Sequence, residues 1–229
     1  MHKKALRYSL ILLGIPLVIA IGVVLFRDRK YQIISLVLAL AACVPFFLSF
    51  EKRGPNAKEL VLLAVMVALS VAGRAVFAPI PGFKPVTAMV VITAIYFGPE
   101  AGFLTGALSA VVSNFLFGQG PWTPFQMFVW GFLGFLAGLL ARRGWLESRV
   151  TLSLYGVFAG AAFSLMMDVW TVLAFDGVFS LARYLAAAAA SLPFLLTYAV
   201  SNVVFLLLLE RPIGRKLERV KVKYGLMEG

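Results

Sequence analysis

Charged residues are scarce in this chain of 229 residues, and acidic residues are the scarcer kind. Only 14% of the residues are charged, against about 25% in an average soluble domain. Hydrophobic residues make up 62% of the chain, against about 45–50% on average. A soluble globule and a disordered chain both need far more polar surface, so this composition excludes them. We therefore expect an integral membrane protein.

Cysteine and histidine are almost absent, with Cys43 in an apolar run and His2 near the start. A single cysteine forms no disulfide within the chain, and a structural zinc site needs four ligands. The motifs of ATP-binding loops, zinc proteases and serine hydrolases are missing. Asp168 is essentially the one acidic residue inside an apolar run, so a paired-carboxylate mechanism has no second member. We expect no metal, no cofactor and no enzyme activity.

Long apolar runs fill most of the chain. A membrane-spanning helix needs about 20 apolar residues, and the runs are continuous rather than alternating, which favours helices over barrel strands. The first run lacks a cleavage site and is interpreted as a retained helix rather than a signal peptide. The sequence therefore predicts an all-α polytopic bundle of about eight spans. The runs are 8–26, 31–50, 60–80, 83–97, 101–117, 125–141, 150–175 and 185–209.

The net charge of +11 reflects basic residues that gather between and after the runs. Lys and Arg collect in cytoplasmic loops and set topology, so this charge indicates a lipid bilayer rather than nucleic acid as the partner. If both termini are cytoplasmic, most of the basic residues lie on the cytoplasmic side of the membrane. The breaker-rich segment 51–56 divides a two-helix N-terminal extension, 1–56, from a six-helix domain, 57–229, with a basic cytoplasmic tail.

Small residues recur at a spacing of four along three runs. Ala64, Ala68 and Ala72 share one face of the third run. Small residues let helix backbones approach closely in lipid, so such a face serves either packing inside the bundle or docking of a partner helix. The same spacing occurs at Gly102, Gly106 and Ala110, and at Gly156 and Gly160.

Two loops that the topology places outside, 78–85 and 117–126, combine rigid turns, aromatic rings and hydrogen-bonding groups. A small-molecule pocket needs this mixture of apolar walls and few oriented polar groups. An interfacial aromatic belt explains Trp122 and Trp170 equally well when each is taken alone. Lys84 is equally compatible with contact to a ligand carbonyl or phosphate and with a side chain that extends to the membrane surface. The candidate binding residues are Phe83, Lys84, Asn114, Gln119, Trp122, Thr123, Gln126 and Trp170.

Two charged residues, Arg74 and Asp168, lie well away from the ends of apolar runs. At a rise of about 1.5 Å per residue, both sit roughly 10 Å below the outer surface. Charges at such depth usually pair or line a cavity. We predict that Arg74 and Asp168 face each other as a buried ion pair, which is compatible with a purely structural role.

Several stretches resemble the substrate-binding (S) subunits of energy-coupling factor (ECF) vitamin transporters. The similar segments are KELVLLAVMVAL at 58–69, FKPVT at 83–87 and FGPEAGFLTGALS at 97–109. The run SNFLFGQGPWTPFQM at 113–127 is most similar to the cobalamin-type branch. The resemblance covers about residues 57–210.

This resemblance implies a six-helix S-subunit fold in the inner (plasma) membrane of a prokaryote. It implies that a vitamin binds from outside, with the loop 79–85 as a gate. It also implies that Ala64 and Ala68, extended here by Ala72, dock on a transmembrane coupling subunit driven by two cytosolic ATPases. The two N-terminal helices are an addition to the six-helix pattern, and no function is assigned to them.

Cobalamin or a related corrinoid is therefore the predicted substrate. Phe83 and Trp122 would be apolar walls, and the amides and hydroxyls at 114–126 would bond its amide arms. Another vitamin is an alternative. A non-transporting membrane scaffold is a second alternative, which predicts no ligand, and an intramembrane enzyme would need a catalytic dyad that the sequence does not offer.

Overall fold

A computed structural model describes residues 31–51, Gly54 and residues 57–226 of the chain. Throughout this described part the regular structure is helical. The seven helices are α1 (Tyr31–Glu51), α2 (Ala57–Val76), α3 (Val86–Phe97), α4 (Pro99–Phe117), α5 (Thr123–Ala141), α6 (Arg149–Asp176) and α7 (Leu181–Tyr224). Five of them, namely α2 and α4 to α7, are long and apolar enough to cross a membrane. The all-α polytopic prediction is confirmed at that level.

The predicted total of eight spans is not shown. The run 8–26 lies outside the described residues, and α3 is a shorter apolar helix of 12 residues. Helix α1 packs against α4 and α5, and its Phe46 ring stacks on Phe103 with the ring centroids 3.7 Å apart. The second run of the N-terminal extension is therefore continuous with the core of the bundle.

Helices α3 and α4 form the tight hairpin that the Gly-Pro-Glu sequence predicts. Gly98 joins them with φ of +90°, a left-handed conformation that glycine adopts at little cost. Pro99 then occupies the first position of α4, where its missing N–H costs nothing. Glu100 follows in the first turn and pairs with Arg142 at the end of α5, with 3.5 Å between nitrogen and oxygen.

Helices α4 and α5 touch through their backbones at a row of glycines. A methyl group added at Gly106 would lie 2.4 Å from the carbonyl carbon of Trp130, and one at Gly134 would lie 2.4 Å from the carbonyl oxygen of Gly102. Gly160 on α6 meets Ala199 on α7 in the same way, at 2.5 Å from the backbone nitrogen. These small-residue faces pack the bundle internally.

The small-residue face of α2 points away from the bundle. Ala64, Ala68 and Ala72 are all exposed. The bundle-facing side of α2 is formed instead by buried residues, which include Leu63, Met66, Val67, Ser70, Val71 and Arg74. The alanine face therefore takes no part in packing within the described bundle.

Helix α7 is 44 residues long, which corresponds to about 66 Å at about 1.5 Å per residue. A hydrocarbon core is only about 30 Å thick, so the helix continues well beyond one leaflet. Its C-terminal part carries the basic residues of the predicted tail and is held to α3, where Tyr96 donates a 2.8 Å hydrogen bond to Glu210.

Candidate functional site

A small cavity of about 50 Å³ lies between α2, α3, α5, α6 and α7, next to the α2–α3 loop. Two of its lining residues, Lys84 and Gln126, belong to the predicted binding set. Arg74 also lines it, although the sequence assigned this residue to an ion pair. The complete lining is Arg74, Lys84, Val86, Thr87, Gln126, Trp130, Phe163, Tyr198 and Asn202.

One side of the cavity is a wall of three aromatic rings from three helices. Trp130 on α5 and Phe163 on α6 stack with centroids 4.9 Å apart and planes 15° from parallel. Phe163 meets Tyr198 on α7 edge to face at 5.1 Å. Trp130 is in place because its backbone lies against Gly106, which lets α5 approach α4 closely. All three rings line the cavity and give this side of it an apolar surface.

The side chain of Arg74 faces α4, and only 8% of its surface is exposed. One terminal nitrogen donates hydrogen bonds to the Ser113 hydroxyl and, at 2.9 Å, to the Asn114 side-chain oxygen. The guanidinium carbon also lies 4.6 Å from the centre of the Phe117 ring and 5.4 Å from that of Trp130. Its Nε has no hydrogen-bond acceptor among the described residues.

The structure does not bring Arg74 and Asp168 together as an ion pair. Asp168 faces α7 and accepts a 2.6 Å hydrogen bond from the Ser191 hydroxyl. Arg74 finds its acceptors on α4 instead, together with two ring faces. Equal depth in the membrane does not decide which helix a charged side chain faces, and that is why the pairing could not be derived from position alone.

Four of the predicted binding residues form one hydrogen-bonded network beside the α4–α5 loop. Asn114 donates to the Thr123 hydroxyl at 2.9 Å and to the Gln126 side-chain oxygen at 2.8 Å. Thr123 donates in turn to Gln119 at 3.0 Å. The sequence therefore grouped these residues as the structure does. Of the four, Gln126 reaches the cavity, while the others bond one another around it.

The three predicted aromatic residues lie outside the cavity lining. Phe83 packs against Phe77 and Phe205. Trp170 is buried against Phe125, with 5.0 Å between ring centroids, and Trp122 is 36% exposed at the start of α5. The sequence missed Trp130 and Phe163. Trp130 follows Gln126 by four residues and so shares its helix face, which is a signal that could have found it, whereas Phe163 offered none.

The loop between α2 and α3 is hydrogen-bonded to α7 through the side chain of Ser201. The hydroxyl of Ser201 accepts a hydrogen bond from the Lys84 backbone N–H at 2.8 Å and donates one to the Lys84 carbonyl at 3.1 Å. Gly82, with φ of +75°, lies against Thr197 one turn earlier on α7. Burial, and then the charge of Arg74, lower the pKa of Lys84. The α2–α3 loop thus places a second cation, Lys84, at the cavity.

Replacing Ser201 by alanine removes both of these bonds and should loosen the loop. One hydrogen bond contributes about 0.5–1.5 kcal/mol net, so we expect the Lys84 amide to exchange its hydrogen about tenfold faster. Hydrogen–deuterium exchange followed by mass spectrometry measures this. Ser153→Ala is the matched control, because that hydroxyl bonds only within its own helix, to Arg149. Unchanged exchange at Lys84 would show that Ser201 does not hold the loop.

Comparison with known families gives a match over most of the described chain. The family model described as ECF-type riboflavin transporter, S component, matches residues 55–219. The matched segment contains all of α2 to α6 and most of α7, together with the cavity and both neighbouring loops, and it begins after α1. No curated protein and no solved structure matches the chain.

Proposed function

Since this chain belongs to the family of ECF-type riboflavin transporter S components, we propose that its cavity binds riboflavin. Membership makes the chain a multi-pass protein of the inner membrane and a vitamin-binding subunit of an ECF importer. It belongs to a transporter family and not to an enzyme family. The resemblance to S subunits is confirmed, whereas cobalamin specificity receives no support from a family named for riboflavin.

The observation that carries the riboflavin proposal is a cavity lined by three aromatic rings and two cations. Riboflavin has a flat three-ring system with two carbonyl oxygens at one end. Aromatic pairs prefer offset stacking or edge-to-face contact, and the rings of Trp130, Phe163 and Tyr198 offer both. Arg74 and Lys84 lie on the same cavity and are suited to carbonyl oxygens. The cavity thus offers aromatic contacts for the flat ring of riboflavin and hydrogen-bond donors for its polar edge.

The size of the cavity also favours the smaller vitamin. Pockets for small molecules usually enclose about 300–1,000 Å³, and this one encloses about 50 Å³. Either ligand therefore requires the α2–α3 loop to move away from α7, where Ser201 holds it. A flat ring system that slides along the aromatic wall needs less movement than a corrin ring with its side arms.

Cobalamin is the second candidate, and one observation favours it. The segment 113–127, which resembles the cobalamin-type branch, supplies the network of Asn114, Gln119, Thr123 and Gln126. Amide side arms such as those of cobalamin could exchange hydrogen bonds with that network. Binding there would require the α4–α5 loop to open as well.

Delivery to the cell interior would follow the arrangement that the family implies. We propose that the exposed face of Ala64, Ala68 and Ala72 docks on the transmembrane coupling subunit, which two cytosolic ATPases drive. Its exposure supports this assignment over internal packing. Small residues on an exposed face allow a partner helix to approach closely in lipid.

Titration of the purified protein with riboflavin and with cyanocobalamin tests the proposal. We expect riboflavin to bind with one-to-one stoichiometry, and Trp130→Phe, which keeps most of the packing, to weaken binding about tenfold by loss of stacking area. Trp122→Ala is the control, because Trp122 lies outside the cavity lining.

The outcomes separate the candidates. Binding of cyanocobalamin alone, weakened by Trp122→Ala and unaffected by Trp130→Phe, would favour the second candidate and the walls inferred from sequence. Failure of both vitamins to bind would contradict the proposed site and favour a scaffold role.

A further inference from the structure

Two cations share the cavity, and no acidic side chain of the described residues lines it. Arg74 comes from α2 and Lys84 from the loop that follows it. Both are near the same Phe117 ring, at 4.6 Å for the guanidinium carbon and 5.6 Å for the ammonium nitrogen. Asp168, the acidic residue inside a neighbouring helix, is bonded to Ser191 instead. The cavity therefore has an excess of positive charge.

One hydrogen-bond donor of Arg74 has no acceptor among the described residues. One terminal nitrogen serves Ser113 and Asn114, but the Nε atom is buried without an acceptor in the described part of the chain. A buried donor without a partner costs free energy, and a charge at membrane depth usually pairs or lines a functional cavity. Arg74 lines the cavity, so a ligand oxygen that reached Nε would satisfy this donor and interact favourably with the positive charge.

We propose that Arg74 and Lys84 form a cationic clamp that grips a negatively polarised oxygen of the bound vitamin. This inference rests on the proposed function and adds to it the orientation of the ligand. In riboflavin the oxygen is a carbonyl of the ring system, which lies along Trp130 and Phe163 with its carbonyl edge toward Arg74. In cobalamin the corresponding group is the phosphate. The shared chemistry is an oxygen acceptor that carries partial or full negative charge.

A purely structural Arg74 makes a different prediction. In that case the side chain serves to hold α4 through Ser113 and Asn114, and its removal lowers stability while the protein that remains folded binds ligand normally. The two roles are separated by measuring affinity on folded protein and by varying the ligand, because a structural residue does not distinguish one ligand from another.

The experiment compares riboflavin with lumiflavin, which keeps the ring carbonyls but lacks the sugar-alcohol chain. Hydrogen bonds to charged groups are roughly twice as strong as neutral ones, so we expect Arg74→Gln to raise the Kd about 10- to 100-fold for both ligands. Arg74→Lys should recover part of the loss, and Lys84→Gln should raise the Kd about tenfold. Arg142→Gln is the matched control, since Arg142 pairs with Glu100 away from the cavity. Gel filtration and thermal unfolding confirm that each variant is folded.

If cyanocobalamin alone binds, the comparison is made with cobinamide, which lacks the nucleotide loop that contains the phosphate. Arg74→Gln should then weaken cyanocobalamin and leave cobinamide unchanged.

Each result decides the matter. Loss of affinity shared by riboflavin and lumiflavin supports the clamp. Loss for riboflavin alone would overturn it, because Arg74 would then contact the sugar-alcohol chain. Normal affinity in both Arg74→Gln and Lys84→Gln would overturn the clamp while the proposed function stands. Absence of binding to the wild-type protein by either vitamin would overturn the proposed function and the clamp with it. If Arg74→Gln does not fold, Lys84→Gln at its half-buried loop position removes one cation of the clamp and gives the same comparison between the two ligands.

Discussion

Gly134→Ala should lower the free energy of unfolding by about 3 kcal/mol, at the upper end of what overpacking usually costs. The added methyl group would lie 2.4 Å from the carbonyl oxygen of Gly102 and 2.6 Å from a methyl carbon of Val90. A backbone oxygen cannot rotate out of the way as a side chain does, so α4 and α5 must separate. Trp130 lies one turn earlier on the same helix face, and vitamin affinity should fall as well. Thermal unfolding in detergent, with and without riboflavin, measures both effects.

Gly156→Ala is the matched control for this prediction. Gly156 is also a buried helical glycine, but an added methyl group would lie 3.1 Å from the flexible end of Leu206 and 3.2 Å from the backbone nitrogen of Val203, so its neighbours need to shift by only a few tenths of an ångström. Alanine favours helix over glycine by about 1 kcal/mol, so this variant should be close to neutral. Equal destabilisation at both positions would contradict the close backbone contact between α4 and α5.

Ala68→Trp should abolish vitamin uptake while leaving vitamin binding intact. Ala68 is exposed in the middle of the alanine face on α2, so the bundle itself can accept a large side chain there. A partner helix that packs on small residues cannot, because an indole would hold the two backbones apart. We expect an unchanged Kd, an unchanged unfolding temperature and loss of co-purification with the coupling subunit and the two ATPases.

Ala189→Trp provides the comparison on another helix. Ala189 is an exposed alanine on α7 rather than on the helix that carries the alanine face, and its replacement should leave uptake unaffected. Normal uptake by Ala68→Trp would show that the alanine face meets only lipid. Loss of uptake in both variants would indicate a general effect of a bulky residue on the bundle surface.

The helical architecture could be predicted because it follows from local properties of the sequence. Continuous apolar runs specify helices in a membrane, and Gly98-Pro99-Glu100 specifies the α3–α4 hairpin within a residue. The network around Asn114 was also accessible, since its members lie within 13 residues of one another. Short sequence separation left few ways to arrange them.

The cavity could not be predicted in full because it depends on how distant helices are rotated against one another. Trp130, Phe163 and Tyr198 come from three helices, and no local pattern shows that their rings meet. The same limitation explains Arg74, whose acceptors are on α4 and not on α6. The exposure of the alanine face was likewise undetermined, since small residues at a spacing of four serve packing at Gly102 and Gly106 but face outward at Ala68.

Fluorescence titration of riboflavin with the purified protein tests the central claim most directly. If the flavin ring lies against Trp130, its emission should fall steeply as protein is added and level off at one equivalent of protein. In Trp130→Phe the flavin should keep much more of its emission at saturation. Flavin emission that stays at its free value at every protein concentration would contradict a riboflavin site in this cavity.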